Sequence, residues 1–577
     1  MANDYSKLSK EELLKVIDKL ESRRKYGLIW DEERTKEQFE EESENALPVL
    51  KEVKSKEIKT NHSKPVNILI EGDNYHALSV LNYTHYGKID IIYIDPPYNT
   101  GNKDFKYNDR WVDKEDTYRH SKWLSFMSKR LLLAKNLLNE YGVIFISIDD
   151  NEQAQLRMLC DKIFGENNFV SQFVIDKTAQ GANQSGTFKQ THEYCLLYTK
   201  GSRDLINSDI DIDIDNRKYR YCDDRGPYAI TNSFDSINSP LSANKNRGYT
   251  VYYNEKTGDA QIRDEYNRNE GTFGDFDQDL IKKGYIPIRP RKRKGVQYPW
   301  NWISTRFLSE YKKELVFMKN RKGEWCIYHK NRATGKTKDT TLKRFDTRNF
   351  GNQLLVDILG EKKFDYPKSL DMMRWVVSKH KNLSAIVLDF FAGSGTTGHA
   401  VLELNKEDGG NRQFILCTNN EENICTDICY PRIQKAIYGY KTPRGENIEN
   451  LGGNLKYFKT SFVKRSISKD SLKIRITWEC TEMLCLREGI FDEIKMTDDY
   501  RIFQHDNRIM GVYYSINRAG LKELKKNFNE LKGKKILYCF TLDPLGLDKK
   551  DFWDWKDVSL ESIPQKILDV YEGICEY

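Results

Sequence analysis

Residues 89–98 constrain the fold of this chain more than any other stretch of its sequence. Ile89-Asp-Ile-Ile-Tyr-Ile94 is almost continuously apolar, which is typical of a strand buried on both faces of a parallel sheet. Asp95-Pro-Pro-Tyr98 follows directly, and its two prolines fix an extended backbone and remove two N–H donors. The strand must therefore end here, with the flanking side chains held rigidly at the carboxyl edge of the sheet.

Strands and helices alternate on both sides of this stretch. The hydrophobic pattern predicts further strands at 67–73, 143–148, 385–389 and 413–417, and helices at 75–83, 121–140 and 398–405. This alternation predicts a doubly wound α/β sheet, in which ligands bind beyond the carboxyl ends of the strands.

Changes in composition divide the rest of the chain, which is too long for a single core. We predict an N-terminal helical segment (1–60), two halves of the α/β domain (61–200 and 350–455), an insert of different composition (201–349) and a C-terminal α+β domain (456–577). The N-terminal segment contains a capped helix at 9–27 and an acidic stretch at 37–44, which we interpret as a solvated helix face. The C-terminal domain contains predicted strands at 472–477 and 535–540.

Composition narrows the classes of function. The 93 basic and 86 acidic residues give a net charge of +7, which is compatible with local basic patches but does not demand a nucleic-acid partner. No apolar stretch approaches the roughly 20 residues of a membrane span, and the first residues lack the features of a signal peptide, so we expect a cytoplasmic protein.

No metal site is predicted. Eleven cysteines include no CxxC pair, which disfavours a zinc ribbon or a disulfide framework. The alternating Asp/Ile run at 209–215 places its carboxylates on one strand face, and we interpret it as an exposed edge strand or loop rather than a calcium site.

Two segments carry the candidate chemistry. After the strand at 89–94, a carboxylate, an adjacent backbone carbonyl and an aromatic ring are held together. The two oxygens can accept both hydrogens of a planar amino group, while the aromatic ring stacks on the ring that bears this amino group. The candidate catalytic residues are Asp95, Pro96, Pro97 and Tyr98. The second segment, 389–397, has Gly393 and Gly395 in a turn between a strand and a helix, where a backbone can approach a ligand closely.

The glycine turn alone is a weak signal. It lacks the GK[ST] of a P-loop and the third glycine of the dinucleotide fingerprint, so a generic helix-start turn remains an alternative for this segment.

Together, the two segments resemble the amino-methylating DNA methyltransferases that use S-adenosylmethionine. DPPY at 95–98 is similar to their catalytic motif and FAGSGTT at 391–397 to their cofactor motif, and the catalytic motif comes first, as in the circularly permuted beta class. Within this family, residues 8–455 are most similar to the modification (Mod) subunits of type III restriction systems.

The resemblance also implies the cofactor site. The segment 364–369 is similar to the FxYPK sequence that closes over the methionine part, 71–73 to the turn whose acid meets the adenine, and 192–194 to the HEY segment at the last sheet strand. Many relatives hold the ribose with an acid at the end of the second cofactor strand, whereas here 418–420 intervene before Glu421. The implied cofactor-binding residues are Asp73, Asp95, Phe364, Pro367, Lys368, Asp389, Phe391, Ala392, Gly393, Gly395, Thr396, Thr397 and Glu421.

The implied activity is methylation of adenine N6 in duplex DNA, because relatives with DPPY mostly modify adenine and those with SPPY mostly modify cytosine N4. The target base would be flipped out of the helix. The insert would recognise DNA, with phosphate or guanine contacts from the basic residues Arg289, Arg291, Lys292, Arg293 and Lys294.

The resemblance further implies three partners: double-stranded DNA, a second copy of the chain, and a restriction (Res) subunit. Two alternatives stay open, a cytosine-N4 DNA methyltransferase and a catalytically inactive DNA-binding or assembly protein on the same fold.

Overall fold

The computed structural model describes residues 9–10, 28–31, 35, 37, 46–61, 64–102, 104–108, 110–177, 190–211, 219–332, 336–346, 348–464, 469–516, 518–543, 546–547, 552–555 and 557–575. Most of the predicted helix at 9–27 and of the acidic stretch at 37–44 lies outside these residues. The chain divides into two compact units, the first made of Met1–Asn207 with Thr340–Tyr577 and the second of Ser208–Asp339.

Short strands dominate the described residues. In chain order they are β1 (Ala46–Glu52), β2 (Val66–Glu71), β3 (Ile89–Ile94), β4 (Lys106–Tyr107), β5 (Arg110–Trp111), β6 (Leu138–Ile148), β7 (Phe169–Lys177), β8 (His192–Thr199), β9 (Asp209–Asp211), β10 (Tyr221–Asp223), β11 (Gly226–Ser233), β12 (Thr250–Tyr253), β13 (Ala260–Arg263), β14 (Tyr266–Asn267), β15 (Thr272–Phe273), β16 (Ile286–Ile288), β17 (Lys292–Arg293), β18 (Val296–Gln297), β19 (Leu315–Lys319), β20 (Trp325–Arg332), β21 (Lys336–Lys338), β22 (Leu342–Phe345), β23 (Ile386–Asp389), β24 (Gln413–Thr418), β25 (Tyr440–Lys441), β26 (Asn447–Ile448), β27 (Asn454–Lys464), β28 (Asp492–Met496), β29 (Tyr500–His505), β30 (Arg508–Tyr513), β31 (Lys534–Phe540) and β32 (Val558–Ile563).

The α-helices connect these strands. In chain order they are α1 (Asn74–Thr84), α2 (Arg119–Leu137), α3 (Gln153–Phe164), α4 (Gln278–Lys282), α5 (Ser304–Glu314), α6 (Leu354–Leu359), α7 (Leu370–Ser378), α8 (Thr396–Asp408), α9 (Tyr430–Tyr438), α10 (Lys469–Glu479), α11 (Thr481–Glu488), α12 (Leu521–Glu530) and α13 (Gln565–Cys575).

A ten-stranded sheet organises the first unit, in the order β1-β27-β2-β24-β23-β3-β6-β8-β7-β22. Its central strands, from β27 to β6, all pair in parallel. Helices α1, α2 and α3 contribute to the core on one face, and α7, α8 and α9 to the core on the other. The predicted doubly wound α/β fold is confirmed, whereas its circular permutation stays a prediction.

Burial on both faces explains the apolar sequence of β3. Ile92 and Ile94 belong to one core, and Ile91 and Tyr93 to the other. The polar exception is Asp90, whose Oδ2 accepts a hydrogen bond from the backbone N–H of Ile386 at 2.8 Å. This bond joins the starts of β3 and β23, two neighbouring strands that are far apart in the sequence.

The C-terminal residues form a five-stranded sheet, in the order β28-β29-β30-β31-β32. The predicted strand at 535–540 is confirmed as β31, but the predicted strand at 472–477 is wrong, because these residues lie in α10. Their alternating apolar pattern is misleading, since Ile474 is exposed while Ile476 is buried and Leu472 packs against the core. The spacing of four between Leu472 and Ile476 is the one that a helix buries.

The second unit has a four-stranded sheet, β10-β11-β20-β19, and a three-stranded sheet, β13-β12-β16. Its core is rich in aromatic residues, among them Phe234, Trp300 and Phe307. The two ends of the unit lie side by side, because β9 pairs with β21 in antiparallel fashion. The first residues of the alternating Asp/Ile run thus form a short strand with one neighbour, and 212–215 lie outside the described residues.

No helix among the described residues is long and apolar enough to span a membrane. Within the same residues, no cluster of three or more His, Cys, Asp or Glu side chains is arranged to hold a metal ion.

Candidate functional site

A cavity of about 490 Å³ opens at the carboxyl edge of the large sheet, a size within the usual range for small-molecule sites. Residues that follow four adjacent parallel strands, β2, β24, β23 and β3, line it. Of the residues predicted from the sequence, the lining contains Asp73, Asp95, Pro97, Phe364, Phe391, Gly393 and Glu421.

A compact network of charged side chains surrounds Asp95. Lys368 Nζ lies 3.0 Å from Asp95 Oδ1 and donates to Glu193 Oε1 and to the Tyr98 hydroxyl, at 3.0 and 2.7 Å. The Tyr98 hydroxyl lies 2.8 Å from Asp95 Oδ1 and 3.1 Å from Glu193 Oε2. No described residue donates to the second oxygen, Asp95 Oδ2, so it can accept a hydrogen bond from a ligand.

The network fixes the protonation of its members. Burial raises the pKa of Asp95, although Lys368 opposes the shift. Burial alone would lower the pKa of Lys368, but the carboxylates of Asp95 and Glu193 outweigh it, and the pKa is raised. Burial and the same two carboxylates raise the pKa of Tyr98 well above its ordinary value. Lys368 is therefore charged and Tyr98 neutral at physiological pH.

The loop after β3 is also held through its backbone. The indole N–H of Trp123 donates to the carbonyl of Pro97 at 2.7 Å. Pro96 precedes this anchored residue, so its carbonyl is carried by a rigid segment beside the Asp95 carboxylate.

The glycine turn lies directly after β23, the parallel neighbour of β3. Gly393 and Gly395 both have positive φ, 49° and 77°, which non-glycine residues rarely adopt. Asp389 holds the turn, because its carboxylate accepts from the Phe391 N–H at 3.0 Å and from the Thr397 hydroxyl at 2.5 Å. Burial raises the pKa of Asp389 to about 7.

The turn also brings two predicted segments together. A Cβ added at Gly393 would lie 3.6 Å from Phe364 Cζ, so a side chain there would fill the gap between the turn and the segment 364–369. Outside the cavity lining, Ala392 and Pro367 are buried, and the Ala392 N–H donates to the carbonyl of Cys417 at 3.1 Å.

A buried arginine, Arg130, also lines the cavity. Arg130 donates to Glu37 Oε1 at 2.9 Å and to Asn74 Oδ1 at 2.6 Å, and its Nη2 lies 3.6 Å from Asp73 Oδ2. Asp73 caps helix α1, since its carboxylate accepts the N–H of Tyr75 at 2.8 Å. Asp73 was predicted from the sequence as a cofactor-binding residue, but Glu37 and Arg130 were not predicted to line the site.

Glu421 also lines the cavity. Its carboxylate accepts a hydrogen bond from Lys106 Nζ at 2.8 Å, and the same ammonium lies 4.7 Å from the centre of the half-exposed Trp111 ring. Lys106 and Trp111 both line the cavity and were missed by the sequence analysis, because the short hairpin β4–β5 carries no motif.

Glu152, also missed, supports the loop after Tyr98. Its side chain is completely buried at the start of α3, and Oε1 accepts from Asn99 Nδ2 at 2.6 Å and lies 2.7 Å from His120 Nδ1. Its other oxygen, Oε2, has no hydrogen-bond partner among the described residues. Burial raises the pKa of Glu152 to about 8.

In the second unit, the basic cluster divides into two groups. Arg291 and Arg293 both pair with the buried Asp235, at 2.7 and 3.0 Å, and Arg289 pairs with Glu265 at 2.7 Å. These arginines hold their own unit together. The exposed Lys292 and Lys294 have no ion-pair partner among the described residues. They lie in the hairpin β17–β18, whose turn at Lys294 and Gly295 has positive φ at both positions, 46° and 82°, as in a type I′ turn.

We predict that Glu152→Gln makes stability less dependent on pH. The unfolded chain releases this proton near the ordinary pKa of 4.5 and the folded protein near 8, so the stability that the neutral carboxyl contributes is lost as the pH rises from 4.5 to 8. Glutamine is neutral over this whole pH range. The free energy of unfolding of the variant should therefore not show the fall of roughly 3–5 kcal/mol that we expect for the wild type. Thermal unfolding at pH 5 and pH 8.5 measures this, with the exposed Glu140→Gln as control. An equal fall in Tm for wild type and Glu152→Gln would contradict the prediction.

A model of the DNA methylase family matches residues 89–428, more than half of the chain. The matched region runs from the start of β3 into the segment that follows β24, so it contains both the Asp95 loop and the glycine turn.

Curated relatives agree with this match. The type II methyltransferase M.KpnI of Klebsiella pneumoniae is 33% identical over 400 residues, which cover 68% of this chain and 90% of that protein. The EcoPI Mod subunit of Escherichia phage P1 is 31% identical over 65% of this chain, and the EcoP15I Mod subunit of Escherichia coli is 31% identical over 64%. The alignments span 61% and 60% of these two type III Mod subunits. The family expected from the sequence is confirmed, and the chain belongs to the DNA methylase family.

Proposed function

We propose that this protein transfers a methyl group from S-adenosylmethionine to N6 of an adenine flipped out of duplex DNA. The observation that carries the proposal is the position of Asp95 Oδ2. This oxygen is held at the cavity by a rigid, proline-fixed loop, and no described residue donates to it. The glycine turn directly follows β23, the parallel neighbour of β3.

The cavity fits the proposed cofactor in size. Its volume of about 490 Å³ lies within the usual range for small-molecule sites, and Asp73 and Gly393 both line it. The gap between Gly393 and Phe364 would be closed by any side chain at position 393. S-adenosylmethionine, when bound, supplies an activated methyl group on a sulfonium. We propose that Asp73 and Glu421 hold its adenosine part and that Phe364 and Gly393 enclose its methionine part.

The difficult part of the reaction is the nucleophile, because the lone pair of an exocyclic amine is delocalised into the base. Asp95 Oδ2 and the carbonyl of Pro96 are two fixed acceptors for its two N–H groups. Accepting both hydrogens favours a pyramidal nitrogen whose lone pair points away from the base plane. Tyr98 stacks on the base, with its ring fixed by the hydroxyl contacts to Asp95 and Lys368.

Asp95 also receives the proton. An amine that has gained a methyl group is briefly cationic and strongly acidic, so Asp95 Oδ2 can take the proton after transfer without acting as a strong base. Burial raises the pKa of Asp95, and Lys368 opposes this by favouring the ionised carboxylate.

We predict that Asp95→Ala lowers methylation at least about a hundredfold, because one of the two acceptors and the proton acceptor are lost together. The measurement is single-molecule modified-base sequencing of DNA from a methylation-free bacterial host that expresses the wild type, Asp95→Ala or the exposed control Asp113→Ala. N6-methyladenine at one short motif, absent only with Asp95→Ala, is the expected result. N4-methylcytosine would overturn the choice of base, and full methylation by Asp95→Ala would overturn the catalytic assignment.

We predict that Lys368→Met moves the acid limb of the pH–rate profile to higher pH by about one unit or more. Without the ammonium, the ionised Asp95 faces Glu193 with no counter-ion, so the pKa of Asp95 rises and a higher pH is needed to ionise it. Methyl transfer by purified protein from pH 5.5 to 9 measures this. Lys363→Met, at the exposed residue just before the segment 364–369, serves as control and should leave the profile in place. If the acid limb of Lys368→Met stays at the wild-type pH or moves to lower pH, Lys368 does not favour the ionised form of Asp95.

We propose that the second unit contacts DNA through Lys292 and Lys294. Two-stranded ribbons fit the major groove of DNA, and unpaired ammonium groups bind its phosphates. Arg289, Arg291 and Arg293 support this hairpin and the strands beside it through their pairs with Glu265 and Asp235, rather than binding DNA themselves.

The double variant Lys292→Ala/Lys294→Ala should bind duplex DNA more weakly, and the slope of log K against log salt should become shallower by about 2. Titration of labelled duplex at several salt concentrations gives the slope. Lys256→Ala, an exposed lysine in another turn of the same unit, is the control. An unchanged slope in the double variant would exclude both lysines as phosphate contacts.

We propose that the chain is the modification component of a restriction–modification system and acts in the bacterial cytoplasm, with a second copy of itself and a restriction subunit as partners. The support is the names of its relatives, which are a type II methyltransferase and type III Mod subunits. Size-exclusion chromatography with light scattering tests the dimer. Co-purification with the product of a neighbouring helicase–nuclease gene tests the restriction subunit.

A further inference from the structure

A buried amide and a buried carboxyl meet behind the loop that follows Tyr98. Asn99 and Glu152 are both completely buried. Asn99 Nδ2 donates to Glu152 Oε1 at 2.6 Å and to the backbone carbonyl of Arg119 at 3.2 Å. Because a backbone carbonyl can only accept, the second contact identifies Nδ2 as the nitrogen of the amide. The orientation of the Asn99 side chain is therefore fixed.

Each of these two side chains has one oxygen left over. Asn99 Oδ1 and Glu152 Oε2 are buried without a hydrogen-bond partner among the described residues. If Glu152 is ionised, both atoms are acceptors that lack a donor, which is unfavourable in a buried place. A single proton on Glu152 Oε2 would supply the donor that both atoms lack.

His120 shows which carboxyl oxygen can carry this proton. Arg119 Nε donates to His120 Nε2 at 3.2 Å, so Nε2 is the unprotonated nitrogen of a neutral imidazole. Nδ1 then carries the hydrogen and donates it to Glu152 Oε1, 2.7 Å away, whereas the amide of Gln155 lies farther from Nδ1, at 3.4 Å. Oε1 thus accepts from both Asn99 and His120, and Oε2 is the oxygen that can be protonated.

The charged groups around Glu152 leave its carboxyl mainly neutral at pH 7. Burial raises the pKa of Glu152 to about 8 and Asp149 adds to the rise, while the bond from Asn99 and the charge of Arg119 oppose it. Burial lowers the pKa of His120, and Arg119 lowers it further, so the imidazole stays uncharged.

Tyr98 lies between two anchored residues. On one side, the indole of Trp123 donates to the carbonyl of Pro97 at 2.7 Å. On the other side, Asn99 has a φ of 59°, which residues other than glycine rarely adopt, and its side chain is held by Glu152. The backbone that directs the Tyr98 ring therefore depends on both anchors.

We propose that Glu152 is a positioning residue for methyl transfer, because its protonated Oε2 donates to Asn99 Oδ1 and closes an acid–amide pair with two hydrogen bonds. This pair fixes the backbone next to Tyr98. The inference rests on the proposed function, since Tyr98 is the ring that stacks on the target base. Glu152 does not contact the base and acts through Asn99.

A matched series at position 152 tests the proposal. In Glu152→Gln, Oε1 still accepts from Asn99 Nδ2, and Nε2 replaces the O–H group as donor to Asn99 Oδ1. In Glu152→Met, both bonds are lost. At pH 7, kcat for methyl transfer should stay within about threefold of the wild type in Glu152→Gln and fall at least about tenfold in Glu152→Met. Calorimetric titration should show unchanged binding of S-adenosylhomocysteine in both variants. The exposed Glu166→Gln is the control.

The alkaline limb of the pH–rate profile gives a second readout. As the pH rises, Glu152 loses its proton and the pair loses one of its two bonds. The kcat of the wild type should therefore fall to about one tenth of its maximum one unit above the pKa of about 8, whereas Glu152→Gln should show no such fall. If both proteins fall alike, or if Glu152→Gln is as slow as Glu152→Met at pH 7, the pair does not position Tyr98.

Infrared difference spectra of the wild type against Glu152→Gln detect the proton directly. The carbonyl stretch of a protonated carboxyl should be present in the wild type at pH 7, lost by pH 9 and absent from Glu152→Gln. Absence of this band at pH 7 would overturn the pair, even if Glu152→Met does not fold. A wild type that shows the band but methylates no DNA at any pH would instead contradict the proposed function.

Discussion

The parallel pairing of β3 with β23 is the contact on which the rest of the site depends. It joins segments of the chain whose hydrogen-bonded residues, Asp90 and Ile386, are 296 positions apart in the sequence. The Asp95 loop and the glycine turn each begin where one of these two strands ends, so their separation is set by the spacing of neighbouring strands. A slip of one residue in this register would turn every side chain of β3 to the opposite face, which two buried cores forbid.

Charge is concentrated beside the carboxylate that we propose as catalytic. The carboxylates of Asp95 and Glu193 share the ammonium of Lys368, whose Nζ lies 3.0 Å from an oxygen of each. Glu193 is buried, and the side chains of Lys368 and Asp95 are 14% and 26% exposed. Charges that are preorganised in such surroundings act more strongly than they would in water.

The sequence predicted those parts of the molecule that depend on local pattern. Burial on both faces gives β3 a continuous apolar sequence, so its bounds were predicted correctly. The glycine turn was predicted because its strand, turn and helix follow one another in the sequence. The C-terminal helix α10 was mistaken for a strand because three apolar residues alternate, and only the packed structure shows that one of them is exposed. Glu152 was not predicted, since its partner Asn99 lies 53 positions away in the sequence. Nothing in the sequence indicates that Arg291 and Arg293 pair with Asp235 or that Arg289 pairs with Glu265.

The antiparallel pair of β9 and β21 brings the two ends of the second unit together. A module that leaves and returns to its host at one narrow point can change in length and content without disturbing the strand order of the large sheet. The second unit is the part of the chain that we propose to contact DNA, so on that proposal its exchange by recombination would change the recognised sequence and leave the site at the edge of the large sheet in place. The narrow junction would then allow the recognised sequence and the methyl-transfer site to change independently of each other.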